Sequence, residues 1–435
     1  MRITNRTQRG IFFWCILGLF SLIWYFVDRI YPLIIEREVL LGLPQVNSNI
    51  FFLPIFSTIF IQIIIWAIRN KLWNGIFYAI DYYGRIRKIR KHLLRANFDI
   101  RNEFDTTIVK LPKIIIQFDN KKRNTGNIYI QNSIKFDKKL EDMRIDSALD
   151  GYVCERQYLS QDRNWYIYSF YNTDSMKQLE IKSQKELVDW SNKTSNDYTL
   201  RLDERATVPL HHMGLVGQTG SGKSYFIQTL IEQILSKKVK HELFIIDPKR
   251  TDVYQMSKYT FGNEQTADKT NAIDLIKQFH KRMNKRQDEM QNYLKSNRNK
   301  TFKDAGLPAL ILLIDEFGAL RESWKTLSKK ERDEVDSILS DVAFMGRQLG
   351  CILWVATQQM NAQTMPTAIR EQLVLKIALG DSDEQTYRTL FSSGVDISPV
   401  RFSAGQGIFS FPGLASADKP RLISTPYCSF LDSST

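Results

Sequence analysis

The stretch "GLVGQTGSGKSYF", Gly214 to Phe226, decides the fold. Gly217, Gly222, Lys223 and Ser224 fit the pattern G-x-x-x-x-G-K-[ST], and each residue type has a physical reason to stand there. Across Gly217, Gln218, Thr219, Gly220, Ser221 and Gly222 the glycines let successive backbone N–H groups turn inward around an anion. Lys223 reaches the terminal phosphates of a bound nucleotide, and the Ser224 hydroxyl is a magnesium ligand. The apolar run "HMGLV" precedes the loop as a strand, and "SYFIQTLIEQIL" follows with helical spacing through Phe226, Leu230 and Ile234.

A phosphate loop needs a partner that holds the metal and activates water. "PALILLIDEFGAL" supplies it: five apolar residues, Leu310 to Ile314, form a buried strand that ends in Asp315, placed to hold magnesium, and Glu316, placed to polarise a water. A third apolar run, "GCILWVATQQ", stops at the polar residues Thr357, Gln358 and Gln359. From about Asp203 apolar strands alternate with amphipathic helices, as in a parallel sheet covered on both faces. The expected strands are "HMGLV", "ELFIID", "ALILLID", "CILWVA" and "LVLKIAL". Ile273, Ile276, Met283 and Met290 mark one helix between them, and Val335, Ile338, Leu339 and Val342 another.

The chain has 435 residues, room for two or three domains, with 60 Lys and Arg against 47 Asp and Glu, a net charge of +13. This balance suits an anionic partner, nucleic acid or lipid, without choosing between them. Cys15, Cys154, Cys351 and Cys428 form no C-x-x-C pair, and the five histidines have no ligand spacing, so neither a disulfide framework nor a zinc site is expected.

At the amino end, "IFFWCILGLFSLIWYFV", Ile11 to Val27, and "IFFLPIFSTIFIQIIIWAI", Ile50 to Ile68, are candidate membrane helices. A cleaved leader does not account for the first, because "SLIWYFVDRIYP" has no small-residue cleavage site and a second run follows. Arg2, Arg6 and Arg9 before the first run, and Arg69, Lys71 and "GRIRKIRKHLLR" after the second, put both termini in the cytoplasm and the loop from Asp28 to Asn49 outside. The expected organisation is a cytoplasmic segment at 1–10, a transmembrane hairpin at 11–70 with helices about 11–27 and 50–68, and a basic juxtamembrane linker at 71–99. A small α+β docking or assembly domain at 100–200 and a motor at 201–435 complete it. Ile86, Ile89 and Leu93 mark an amphipathic helix in the linker, whose basic residues suit topology and anionic lipid. In the small domain "TIVKLPKIIIQF", "GNIYI", "GYVCERQYL" and "NWYIYSFY" read as strands and "FDKKLEDMRIDSALDG" as a helix. Its aromatics Tyr129, Tyr152, Trp165, Tyr166 and Tyr168 are more in keeping with a strand core than with base stacking.

Taken in order, "GLVGQTGSGKS", "LFIIDPKRTD", "LLIDEFGAL", "GRQLGCILWVATQQ" and "IREQLVLKIALG" resemble the FtsK/SpoIIIE DNA-translocase ATPases, over the carboxyl-terminal half of the chain. Within that family the arrangement is most similar to the TcpA-type coupling proteins of Gram-positive conjugative elements. The resemblance implies an α/β, RecA-like P-loop NTPase that binds ATP and Mg2+, works as a homo-hexamer at the cell membrane, and moves DNA by sequence-nonspecific backbone contacts. A relaxase complex and conjugation channel proteins are its implied partners. It further implies a phosphate sensor at Gln358, an arginine acting across the subunit boundary at Arg347 or Arg370, and DNA contacts from the polar loop carrying Lys295, Arg298, Lys300 and Lys303. A chromosome-segregation translocase is disfavoured, since the resemblance would then imply a longer membrane region and a DNA-reading winged-helix domain after the motor, whereas the sequence runs out in "STPYCSFLDSST"; the helical insertion of Gram-negative coupling proteins does not fit within Thr251 to Leu307. Two rival readings stay open: a type VII-like protein-secretion ATPase, although those string several motors together, and an ATP-binding channel-assembly factor.

Overall fold

The computed structural model describes residues 3–33, 52–98, 100–101, 108–119, 123–173, 177–361, 364–396 and 401–434. The chain divides into two compact units, residues 1–175 and 176–435.

In the first unit a helix α1 (Asn5–Tyr25) runs through a π-turn, Phe26–Ile30, to Leu33. Gly10–Leu33, 24 residues, is the one helix among the described residues that is long and apolar enough to cross a bilayer. The second expected span falls on α2 (Phe52–Arg69), whose apolar stretch Phe56–Arg69 is shorter than that. The expectation of two full spans is thus met by one. At 18 residues α2 is about 27 Å long, just under the hydrocarbon thickness. Most of the loop expected outside, including Glu36, Arg37 and Glu38, lies outside the described residues.

The basic linker is a helix, α3 (Ile76–Arg95), and it belongs to the small domain. Ile86, Ile89 and Leu93 are buried as their spacing predicts, against a four-stranded antiparallel sheet. That sheet has the order β1 (Ile114–Phe118), β2 (Thr125–Gln131), β4 (Trp165–Asn172), β3 (Tyr152–Leu159). Alternation explains the shared face: Ile114 and Ile116 of β1 and Ile128 and Ile130 of β2 are all buried. Tyr152, Tyr166 and Tyr168 are core residues too, while Tyr129 and Trp165 meet edge to face at 6.4 Å, half-buried. The expected helix over "FDKKLEDMRIDSALDG" shortens to Asp137–Glu141 and a 3-10 turn at Asp146–Ala148. One helix face cannot bury Phe136, Leu140, Met143 and Ile145 together, and the break lets all four enter the core.

The second unit begins earlier than the sequence boundary near 200. Glu180–Ile181 pairs with Tyr427–Cys428 near the other end of the unit, and Trp190 of α4 (Gln184–Asn192) packs there too. Its main sheet has eight strands. In chain order these are β5 (Met213–Gly217), β6 (Glu242–Ile246), β7 (Thr266–Ala267), β8 (Leu310–Ile314), β9 (Cys351–Thr357), β10 (Leu375–Leu379), β11 (Gln406–Ser410) and β12 (Arg421–Ser424). The spatial order is β7-β6-β8-β9-β5-β10-β11-β12. The first six are parallel: the five expected strands and Thr266–Ala267, which was not among those expected. The last two are antiparallel, which makes the sheet mixed and corrects the purely parallel expectation.

Helices cover both faces. α5 (Lys223–Leu235) buries Phe226, Leu230 and Ile234 on one, with Ile311 and Leu313 of β8 beneath them. α6 (Ala272–Ser296) and α8 (Lys329–Leu349) bury Ile276, Met283, Val335 and Leu339 on the other, over Leu310, Leu312 and Ile314. A strand buried on both faces has no polar alternation, which is why these runs read as continuously apolar.

Candidate nucleotide site

Parallel strands bring their carboxyl ends to one edge, and in open α/β sheets ligands bind in the crevice outside that edge. Here the ends of β5, β6, β8 and β9 carry the phosphate loop, Asp247, the pair Asp315 and Glu316, and Gln358. Because β9 lies between β5 and β8, its polar end is interposed between the loop and the acidic pair.

The loop is built by close approach. At Gly217 a Cβ would stand 2.4 Å from Ser221 Oγ, and at Gly222, with φ +89°, 2.7 Å from the backbone nitrogen of Gly405. Gly405 N–H donates to the Ser221 carbonyl at 2.8 Å, so the segment before β11 forms a wall of the loop. Nothing in the sequence near the loop announces that wall.

Lys223 Nζ donates to Asp315 Oδ1 at 2.6 Å and to Glu316 Oε1 at 3.1 Å. Gln358 Nε2 donates to the same Glu316 oxygen at 3.2 Å, and Lys249 Nζ lies 3.3 Å from Glu316 Oε2. Of the expected residues, the structure therefore gathers Lys223, Asp315, Glu316 and Gln358 on one spot. It adds Lys249. That residue is aimed by Asp247, fully buried, whose carboxylate accepts from Lys249 N–H at 3.0 Å, Thr251 N–H at 2.7 Å and the Thr251 hydroxyl at 2.6 Å. The motif "LFIIDPKRTD", with Asp247, Pro248 and Lys249, marked this turn in the sequence without giving Lys249 a role.

Glu316 has left-handed backbone angles, φ 53° and ψ 48°, costly for a residue with a side chain. The sharp turn stands between β8 and α7 (Phe317–Ser323). Burial pushes both carboxyls up, and the outcome differs: Asp315 stays above its ordinary range despite Lys223, whereas Lys223 and Lys249 together hold Glu316 below it. Glu316 is thus an anion at neutral pH.

Arg347, Arg370, Arg298, Lys300 and Lys303 are not brought to the loop. They precede β9, β10 and β8, at the amino ends of the strands. Arg347 is exposed, with its charge near His211, His212 and Lys303; Arg370 donates to Thr367 Oγ1 at 3.3 Å, and Lys300 pairs with Asp304 at 3.5 Å. The histidines serve the scaffold: Leu353 N–H donates to His212 Nδ1 at 2.9 Å, and burial lowers His212 to about 3 and His211 to about 4.

Residues 193–276 match the family model for the central domain of the helicase HerA. The chain is 26% identical over 182 residues to the FtsK domain-containing protein YdcQ of Bacillus subtilis, covering 42% of this chain and 37% of that protein. It is 27% identical over 243 residues to the DNA translocase FtsK of Chlorobaculum tepidum, covering 52% of this chain and 28% of that one. The match spans about a third of the length of these curated relatives. The structure is also similar to the pCW3 conjugation coupling protein TcpA in its monomer form with ATPγS, with a TM-score of 0.49 and 14% identity, over 80% of this chain and 96% of that one. Likeness at that level assigns neither fold nor function by itself. A phosphate loop with its acidic pair on a central parallel sheet, the HerA-type match and the FtsK relatives agree: the chain carries a HerA/FtsK-type ATPase domain and is similar to the FtsK/SpoIIIE ATPases.

Proposed function

We propose that this protein is a membrane-anchored, ATP-driven DNA translocase that acts as a coupling protein in conjugative transfer, working as a homo-hexamer. The observation that carries the reading is the convergence of Lys223, Lys249 and Gln358 on Glu316. In it the backbone N–H groups from Gly217 to Ser224 cradle the phosphates, and Lys223 exchanges its carboxylate partners for phosphate oxygens. Glu316, kept anionic by its cations, orients and deprotonates the attacking water. Gln358, already bonded to Glu316, relays the state of the terminal phosphate to β9. The Ser224 hydroxyl and the buried Asp315 carboxylate are hard oxygen donors that fit Mg2+, which would neutralise charge on the terminal phosphates. Arg347 or Arg370 would act on a neighbouring subunit's site. The translocase names of the relatives and the net charge of +13 support DNA as the polymer, with Arg298, Lys300 and Lys303 as candidate backbone contacts. Phosphate contacts carry no sequence information, so origin choice would fall to a relaxase complex, and delivery to channel proteins.

At the membrane end the same proposal includes a two-pass hairpin with cytoplasmic termini, although one helix among the described residues, Gly10–Leu33, is long and apolar enough to cross a bilayer. Ile3–Thr4 pairs in parallel with Ile108–Val109. Two segments in one sheet lie on one side of a bilayer, so a crossing by α1 calls for a return, and α2 is the helix available for it. Cysteine labelling from outside at a position in 34–51, with none at Ser133, would agree with this topology; labelling at both sites would refute it.

The functional test is ATP turnover by the full chain with duplex DNA, single-stranded DNA or neither, at two salt concentrations, against a Lys223→Ala background. A DNA-dependent rise that fades with salt is expected. Robust turnover indifferent to DNA would refute the pump and favour a polypeptide substrate; negligible turnover with Glu316 intact would favour an assembly role.

A further inference from the structure

Immediately after the phosphate loop stands an aromatic side chain that the hydrolytic chemistry does not use. Tyr225 is the third residue of α5, so its backbone N–H is among the donors a helix start leaves unpaired and offers to phosphate. Tyr225 is 41% exposed. A second ring stands beside it from the far end of the unit: Tyr427, at a centroid distance of 5.9 Å and an interplanar angle of 54°.

Both hydroxyls donate to one carboxylate, that of Asp432, each to a different oxygen. The segment that delivers Tyr427 and Asp432 is pinned from below. Tyr427–Cys428 pairs with Glu180–Ile181, Cys428 is buried against Ile181, Leu187 and Trp190, and Thr229 Oγ1, one turn along α5 from Tyr225, lies 3.5 Å from Cys428 Sγ. Rings held by their hydroxyl ends keep their faces available. A nucleotide gripped at the loop by its phosphates must put its base just outside the first turn of α5, and aromatic side chains stack on bases.

We propose that Tyr225 and Tyr427, clamped by Asp432, form a nucleobase platform that takes the purine ring of the bound nucleotide. This rests on the phosphate loop being a nucleotide site, and it adds a role for residues 427–432, which no feature of their sequence suggests. Stacking rewards the larger ring, so a purine nucleotide should bind better than a pyrimidine one.

The test measures affinities of the full chain for ADP, CDP and inorganic pyrophosphate in the presence of magnesium, none of which turns over. Tyr225→Ala and Tyr427→Ala should each weaken ADP binding about tenfold or more and narrow the preference for ADP over CDP, while pyrophosphate affinity holds. Tyr225→Phe, which keeps the ring, should retain most of the ADP affinity. Unchanged ADP binding in both alanine variants would overturn the platform and leave the phosphate site standing. Equal loss of pyrophosphate binding in both would also overturn it, because the rings would then be buttressing the loop. If the unaltered chain bound neither ADP nor pyrophosphate, the nucleotide-site reading would fall along with it.

Discussion

Glu316 is held between opposing forces: burial favours its neutral form, and two ammonium groups and a carboxamide favour the anion. Removing the carboxylate with Glu316→Gln should lower turnover by about 10²- to 10⁴-fold while ADP binding persists, checked by paired kinetic and binding measurements. Lys249 tunes rather than performs the step. In Lys249→Ala the Glu316 carboxyl loses a cation and its pKa rises. A base works only when deprotonated, so activity is lost as pH falls through that pKa, and the acid limb of the pH–rate profile should move to higher pH. An acid limb that stays in place would mean Lys249 does not set the charge on Glu316. The phosphate loop, Asp315, Glu316 and Gln358 were legible because each chemical group ends a local apolar run. Lys249 stands in the motif "LFIIDPKRTD", but its role was not legible, because that role depends on the turn that Asp247 builds.

At the scale of elements, periodicity identified the buried faces and left their partners open. Ile86, Ile89 and Leu93 announced an amphipathic helix, and a membrane surface was as good a neighbour for it as a sheet. The structure spends that face on β1 and β2, leaving Arg87, Lys91 and Arg95 exposed at a four-residue spacing. Ile116→Ala, which empties a fully buried site under α3, should cost about 2–5 kcal/mol in chemical denaturation of the first unit. In the second unit the wall of the phosphate loop turns at Gly405, φ +76°, where a Cβ would stand 3.0 Å from Thr425 Oγ1 and closer still to the Gln178 amide. Gly405→Ala should therefore cost about 1–2 kcal/mol through the left-handed backbone alone and weaken ADP binding, read by melting and by titration.

For the molecule as a whole, two units with separate cores mean that no single two-state transition describes unfolding. ADP with magnesium at about a hundred times its dissociation constant should stabilise the second unit by about 2.7 kcal/mol. Ile116→Ala should leave that increment untouched. A loss of the increment in Ile116→Ala would contradict the separation of the cores. What the sequence by itself determined were features made by neighbours along the chain: apolar strands too uniform to face water, a glycine-rich turn shaped for phosphate, an acidic pair at a strand end, and an apolar helix fit for a bilayer. Tertiary structure alone decided which strand lies between β5 and β8, that Lys223 meets a carboxylate 93 residues away, and that Tyr225 shares Asp432 at a separation of 207. The physical reason is that dihedral preference and hydrophobic period act over a few residues, while strand order and the packing of distant segments are settled by burial of the whole core.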